Sequence, residues 1–262
     1  MTTNERTLTM FRDAFTFDPK KTGYVGIELE GFCFRDGRIA PIAEEVLGTL
    51  PNDGRFTYEL SACQIELRVG PCATVEDLGH ELQNTRALLA RAEAQHNFKI
   101  EFVPLAPATM PLDVFPNPRY ANITRHLSEE RLRAACRVAA LHVHVGMSGH
   151  DLALAVHNQA LVSVPLYMRS YMSQERRAVY EVMAPGSEPV VLRDWDHFET
   201  LVREGQPNAD VLDPRGYYKF LRVSKHGTLE LRVPDTTSSE AVILEVARRF
   251  QTECLWGIVQ SE

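Results

Sequence analysis

No segment of this 262-residue sequence approaches the roughly 20 consecutive apolar residues needed to cross a bilayer. The longest apolar stretches, Leu161 to Met168 and Leu255 to Val259, have the length of ordinary core. Met1 to Phe17 is polar and carries no apolar signal-peptide core. No long Lys or Arg run occurs and the formal net charge is −7, which argues against a nucleic-acid partner while leaving room for a local basic pocket. No CxxC occurs either. The cysteines, Cys33, Cys63, Cys72, Cys136 and Cys254, are odd in number and scattered, which argues against a zinc knuckle or disulfide framework and fits a reducing compartment. Internal repeats, low-complexity segments, a glycine-rich phosphate loop, a nucleophile elbow and a Ser-His-Asp order are also missing. These absences predict a soluble, cytoplasmic protein without a membrane or nucleic-acid partner.

What is present is enough hydrophobic residue, 44%, for one large core, with a globular 24% of charge. Pro104 to Pro118 and Pro185 to Pro189 read as surface loops within one domain spanning residues 1–262. Four segments share one strand design: an apolar residue alternates with a charged or polar one. Tyr24–Phe34 sets Val25, Ile27 and Leu29 against Gly26, Glu28 and Glu30. Gln64–Val69 sets Ile65, Leu67 and Val69 against Gln64, Glu66 and Arg68. Val138–Met147 sets Leu141, Val143 and Val145 against His142 and His144. Gly227–Val233 sets Leu229, Leu231 and Val233 against Thr228, Glu230 and Arg232. A fifth strand, Tyr217–Val223, pairs with the last through a turn at Lys225-His226-Gly227.

Helices fall between them. Thr74 caps one carrying Leu78, Leu82, Leu88 and Leu89, with Asp77 at the capping-box position. Ser128 caps a short one through Cys136. A longer helix is predicted over Asp151–Met172, a short one from Asp196 or His197 through Val202, and a last one capped by Ser238 or Ser239. Trp195 and Trp256 are assigned to the core. One dry and one wet strand face is the pattern of an antiparallel sheet, so the expected class is α+β, with helices packed on one face.

The wet face gathers Glu28, Glu30, Glu66, His142, His144, Glu230 and Arg232. Glu59 precedes Glu66 by seven residues, an odd spacing that a straight strand would send to the other face; a bulge near Ser61-Ala62 would bring it back. Facing carboxylates repel unless a cation lies between them, and oxygen ligands with an occasional imidazole suit Mg²⁺ or Mn²⁺ whose shell substrate phosphates complete. Arg232 adds a fixed cationic fork for phosphate or carboxylate. Each signal has a plain alternative: Glu-x-Glu as a solvated strand face, His-x-His as an exposed pair or a zinc site, Glu230 and Arg232 as a cross-strand ion pair. Tyr217, Tyr218, Lys219 and Arg222 either line a pocket or form an ordinary sheet face. Arg176 and Arg177 read equally well as solvated helix residues.

Four ordered segments, GIELEGFCF (Gly26–Phe34), YELSACQIEL (Tyr58–Leu67), LHVHVGM (Leu141–Met147) and YYKFLRVSKHGTLELRVPD (Tyr217–Asp235), resemble the glutamate–cysteine ligase superfamily, especially its carboxylate–amine ligase branch. The resemblance spans most of residues 20–255. It implies a glutamine-synthetase-like catalytic sheet, ATP and Mg²⁺ as cofactors, and activation of a carboxylate as an acyl phosphate before an amine attacks. Carried over by position, it implies metal ligation by Glu28, Glu30, Glu59, Glu66, His142 and Glu230, and catalytic roles for Glu66 and Arg232. His144, Lys219, Arg222 and Arg232 become nucleotide or phosphate contacts. Small carboxylate and amine substrates, glutamate and an amino acid such as cysteine, are the expected partners, with a homodimer possible through the last helix. Relatives continue with further helices, and the stretch between His150 and Trp195 is shorter than in the ligase branch. A non-catalytic nucleotide- or metabolite-binding relative is therefore the second expectation, and a His/Glu metal-dependent hydrolase the third.

Overall fold

Alternating apolar and polar residues build a sheet whose two faces differ completely in character. The computed structural model describes residues 11–207, 209 and 211–261; the first ten residues of the polar Met1–Phe17 stretch lie outside the described residues. The strands are β1 (Val25–Arg35), β2 (Arg38–Ile39), β3 (Phe56–Tyr58), β4 (Gln64–Cys72), β5 (Lys99–Glu101), β6 (Leu141–Gly146), β7 (Leu221–Val223) and β8 (Thr228–Leu231). They form one sheet in the order β3-β4-β1-β6-β8-β7, with β2 and β5 paired to β1, and every pairing is antiparallel. The α+β class and the antiparallel sheet expected from the alternation are both present.

The helices are α1 (Ala43–Gly48), α2 (Val75–Gln95), α3 (Pro118–Thr124), α4 (Glu129–Arg137), α5 (His150–Ala160), α6 (Val164–Tyr171), α7 (Gln174–Met183), α8 (Trp195–Gly205) and α9 (Glu240–Ser261). α2, α5 and α9 contact the sheet strands directly. The apolar strand residues, including Ile27, Leu29, Leu67, Val143 and Leu229, are fully buried with Leu78, Leu82, Val246 and Phe250 of these helices in one core. Burying each such side chain contributes about 1.5–3 kcal/mol, so this layer fixes which way the strands face. Thr74 and Ser128 cap α2 and α4 as their sequences predict, accepting from the Asp77 and Arg131 amides.

Three expectations are corrected. The helix predicted over Asp151–Met172 is broken into α5, a 3-10 turn at Leu161–Ser163, and α6. Pro165, in the first turn of α6, has no N–H and would clash with the carbonyl four residues back. Tyr217–Val223 is strand only from Leu221, because a 3-10 turn at Pro214–Gly216 delays it. Trp195 is core, but Trp256 is 68% exposed on the outer side of α9. The five cysteines are free and buried, as their scatter implies. Among the described residues no helix is long and apolar enough to cross a membrane.

Candidate functional site

Antiparallel register sets the polar residues side by side, because directly opposed residues project from the same face. Glu30 opposes Glu66, and Glu28 opposes both Arg68 on β4 and His142 on β6. His144 opposes Glu230, which opposes Arg222 on β7. The result is an unbroken acidic and basic floor across five strands, from β4 to β7. It underlies a cavity of about 440 Å3 whose walls include Tyr120 of α3, Arg131 and Ala135 of α4, and Arg176, Tyr180 and Met183 of α7.

Glu59 reaches this floor by a route other than the expected bulge. β3 and β4 form a hairpin that pairs Thr57 with Glu66 and Tyr58 with Ile65. The chain reverses at Ser61–Gln64, where the Gln64 amide donates to the Ser61 carbonyl over 3.1 Å. Thr57 shares the side of Glu66, and Glu59, two residues on, shares it too. The reversal resets the parity that the seven-residue spacing would otherwise give.

His142 is the hub. Its Nδ1 lies 3.2 Å from Glu28 Oε2 and 3.9 Å from Glu230 Oε1, while its Nε2 lies 3.6 Å from Glu30 Oε1. His144 Nε2 lies 3.5 Å from Glu28, and its Nδ1 lies 2.8 Å from Thr228 Oγ1. Glu30 also accepts the Ala140 amide at 2.6 Å. Arg68 Nε donates to Glu66 at 2.7 Å. Arg222 holds Glu230 with two bonds, 2.7 and 3.1 Å, and Arg232 donates to the same carboxylate.

The electrostatics divide the carboxylates into two kinds. Burial pushes Glu30 up to about 7, with Glu66 adding repulsion, and pushes Glu59 up to about 7, with Glu30 adding repulsion. Burial, Glu28 and Glu59 hold Glu66 well above the usual carboxylate range. For Glu28 and Glu230 burial acts in the same sense but loses: His144 and His142 hold Glu28 well below the usual range, and Arg222 and Arg232 do so for Glu230. Burial and Arg232 lower His142 to about 4, so its imidazole is neutral. His144 is raised, because Glu28 and Glu230 outweigh its burial. Three carboxylates that resist ionisation beside a neutral buried imidazole are a donor set that suits a divalent cation.

Two sets of three fit such a cation. Glu28, His142 and Glu230 offer ligand atoms within 4.8 Å of one another, as do Glu30, Glu66 and His142. Glu59 lines the cavity beside them but belongs to neither set. Arg222, Arg232 and His144 line it as well. Lys219, assigned with them as a cofactor contact, is not brought into the lining: its Nζ donates to the Gly186 carbonyl and lies 5.9 Å from the Tyr217 ring.

Among the lining residues that the sequence reading left out of the site are Arg68, Arg176 and Tyr180. Arg68 stands two residues from Glu66, and strand parity alone would have found it. Arg176 is wholly buried, against the solvated reading; its Nη1 and Nη2 donate to the Val233 and Arg232 carbonyls at 2.7 and 3.3 Å. Tyr180, one turn on, carried no local signal. A second cleft of about 440 Å3 shares Glu28, Arg68, His144 and His226 with the first and is lined by Gly26, Gly70, Gly146 and Gly227, at each of which a Cβ would crowd neighbouring backbone.

The family model described as glutamate-cysteine ligase family 2 matches residues 24–252. A glutamate–cysteine ligase of Natronomonas pharaonis is 28% identical, over 86% of this chain and 66% of the relative. One of Haloferax volcanii is 26% identical, over 88% of this chain and 73% of the relative. The chain thus spans just under two thirds of the first of these proteins. Among solved structures, a bifunctional glutathione synthetase from Pasteurella multocida superposes with a TM-score of 0.60 at 15% identity, covering 89% of this chain and 38% of that one. At that identity the likeness concerns the fold alone.

Proposed function

The chain belongs to glutamate–cysteine ligase family 2, and from that premise we propose that it is an ATP-dependent ligase joining a carboxylate to an amine through an acyl phosphate, with residues 1–262 acting as one catalytic domain. The observation that carries the reading is the floor of the cavity: two three-residue ligand sets share the neutral His142, with Arg232 and Arg222 beside them.

In this reading Glu28, His142 and Glu230 would hold one Mg²⁺ or Mn²⁺ and Glu30 and Glu66 would hold another, since a neutral imidazole has a single lone pair to give, with Glu59 lining the floor next to Glu66. When bound, the ions neutralise the ATP phosphates and the phosphoryl group in transfer. Arg232, anchored on Glu230, turns a fixed charge toward the transferring group, and Arg222 braces the same carboxylate. His144, on the rim shared with the second cleft, lies within reach of the phosphate chain. A carboxylate oxygen of the substrate attacks the γ-phosphorus and the bond to ADP breaks. The amine nitrogen then attacks the acyl carbon, phosphate leaves and the nitrogen sheds a proton. The walls from α4 and α7 keep water from the acyl phosphate. Glutamate is the proposed carboxylate and an amino acid such as cysteine the proposed amine.

Hydroxylamine tests the intermediate, since it converts an acyl phosphate to a stable hydroxamate. With L-glutamate, ATP, Mg²⁺ and hydroxylamine, equal amounts of ADP and glutamyl hydroxamate are expected, and neither without Mg²⁺. ADP without hydroxamate would remove the acyl phosphate. Nucleotide binding without any ADP would leave a non-catalytic binding protein.

A further inference from the structure

Arg68 touches carboxylates that belong to two different cation positions. Antiparallel register sets it directly across from Glu28 on β1, and Glu66 stands two residues before it on β4, on the same face. Its Nε donates to Glu66 Oε1 at 2.7 Å and lies 3.9 Å from Glu28 Oε1. Glu28 belongs to one ligand set and Glu66 to the other. Carboxylates within reach of one nitrogen repel each other unless a positive charge lies between them, and here the guanidinium is that charge. It is also loosely held. The Arg68 side chain is 51% exposed and lines both clefts, and its terminal nitrogens have no hydrogen-bond partner among the described residues. Arg222, by contrast, is fixed by four bonds, to Glu230 and to the Arg215 and Tyr217 carbonyls. A half-exposed ion pair resting on one bond is weak, so a divalent cation competes with it on favourable terms.

We propose that Arg68 is the resident counter-charge of the Glu30 and Glu66 cation position: its guanidinium neutralises Glu66 and Glu28 while that position is empty, and it swings off Glu66 when a divalent cation enters. Arg68 is thus a positioning residue that acts through Glu66 and competes with the metal. Its role has a sign that a structural brace lacks. Removing a competing charge tightens binding of the metal, whereas removing a brace of Glu66 loosens it. The inference rests on the cation positions proposed above and adds to them the group that sets their affinity.

The test is titration of the full chain with Mn²⁺ alone, at pH 7 and without nucleotide, read by the electron paramagnetic resonance signal of the free ion. Wild type is compared with Arg68→Met and Arg68→Gln, two uncharged side chains, with Arg68→Lys, and with Arg68→Met combined with Glu66→Gln. Thermal denaturation checks that each variant folds. The uncharged variants are expected to bind Mn²⁺ about tenfold tighter than wild type. Arg68→Lys stays close to wild type, and the gain disappears when Glu66→Gln is added. Four results would each overturn the role of Arg68 and leave the cation positions standing: equal affinities in wild type and the uncharged variants, weaker binding by those variants, an Arg68→Lys as tight as they are, or a gain that survives Glu66→Gln. No Mn²⁺ binding by any of the proteins at millimolar metal would overturn the cation positions themselves, and the role of Arg68 with them.

Discussion

Glu230→Gln is expected to cost about 3–5 kcal/mol of folding stability, whereas Glu66→Gln at pH 7 shifts stability by no more than about 1 kcal/mol. The residues share a face, a chemistry and a burial, at 1% and 3% exposure, and differ in what surrounds them. Among the described residues Glu230 is the sole carboxylate held by both Arg222 and Arg232. An amide there leaves two buried guanidiniums without a counter-charge, the costliest way to break such an arrangement. Glu66 sits among Glu28 and Glu59, and burial already holds its proton in place well above the usual range. The amide mimics that protonated state and still accepts from Arg68. Urea denaturation of both variants reads the difference. Equal losses would mean that the two-kinds division of the carboxylates is wrong. Glu66→Gln should nevertheless abolish turnover, since it removes a charged ligand from one of the two cation sets.

The second large effect is on pH. A carboxylate whose folded pKa is raised stabilises the fold below its unfolded value and loses that contribution as pH rises through the folded value. Glu30 and Glu59, both pushed from 4.5 to about 7, therefore lose their contribution as pH rises through that interval, and Glu66, held higher, continues the loss beyond it. His144, raised above 6.5, has the same sign. His142 and His157, both lowered to about 4, have the opposite sign, but their contribution is complete once pH exceeds the unfolded value of 6.5. Glu28 and Glu230 titrate far below this range. Metal-free protein should therefore lose thermal stability as pH rises above 6.5, where the opposing histidine contributions are complete. Added Mg²⁺ should restore it, with an effect that grows over the same interval because binding displaces protons. A flat profile, or a Mg²⁺ effect that shrinks with pH, would contradict the proposed cation sites.

The floor of the cavity was readable from period-two alternation because a sheet with one buried face allows each strand a single orientation. Glu28, Glu30, Glu66, His142, His144, Glu230 and Arg232 all follow from that rule. Glu59 did not, since its side depends on a partner strand and not on its own spacing. Arg176 and Tyr180 reach the site from α7, which lies beyond the helix predicted to end at Met172; only tertiary packing brings it to the end of β8. The break at Pro165 was readable in principle from the proline itself. The exposure of Trp256 was not, because an apolar helix residue looks alike in sequence whichever way it faces. Lys219 falls in a motif-like segment, but the 3-10 turn before it carries its side chain toward Gly186.

Calorimetric titration with ATP, with and without Mg²⁺, on wild type and Glu66→Gln tests the central claim most directly. The account predicts binding to wild type that requires the metal and is lost in the variant. No binding at millimolar nucleotide, or binding indifferent to both the metal and Glu66, would contradict it.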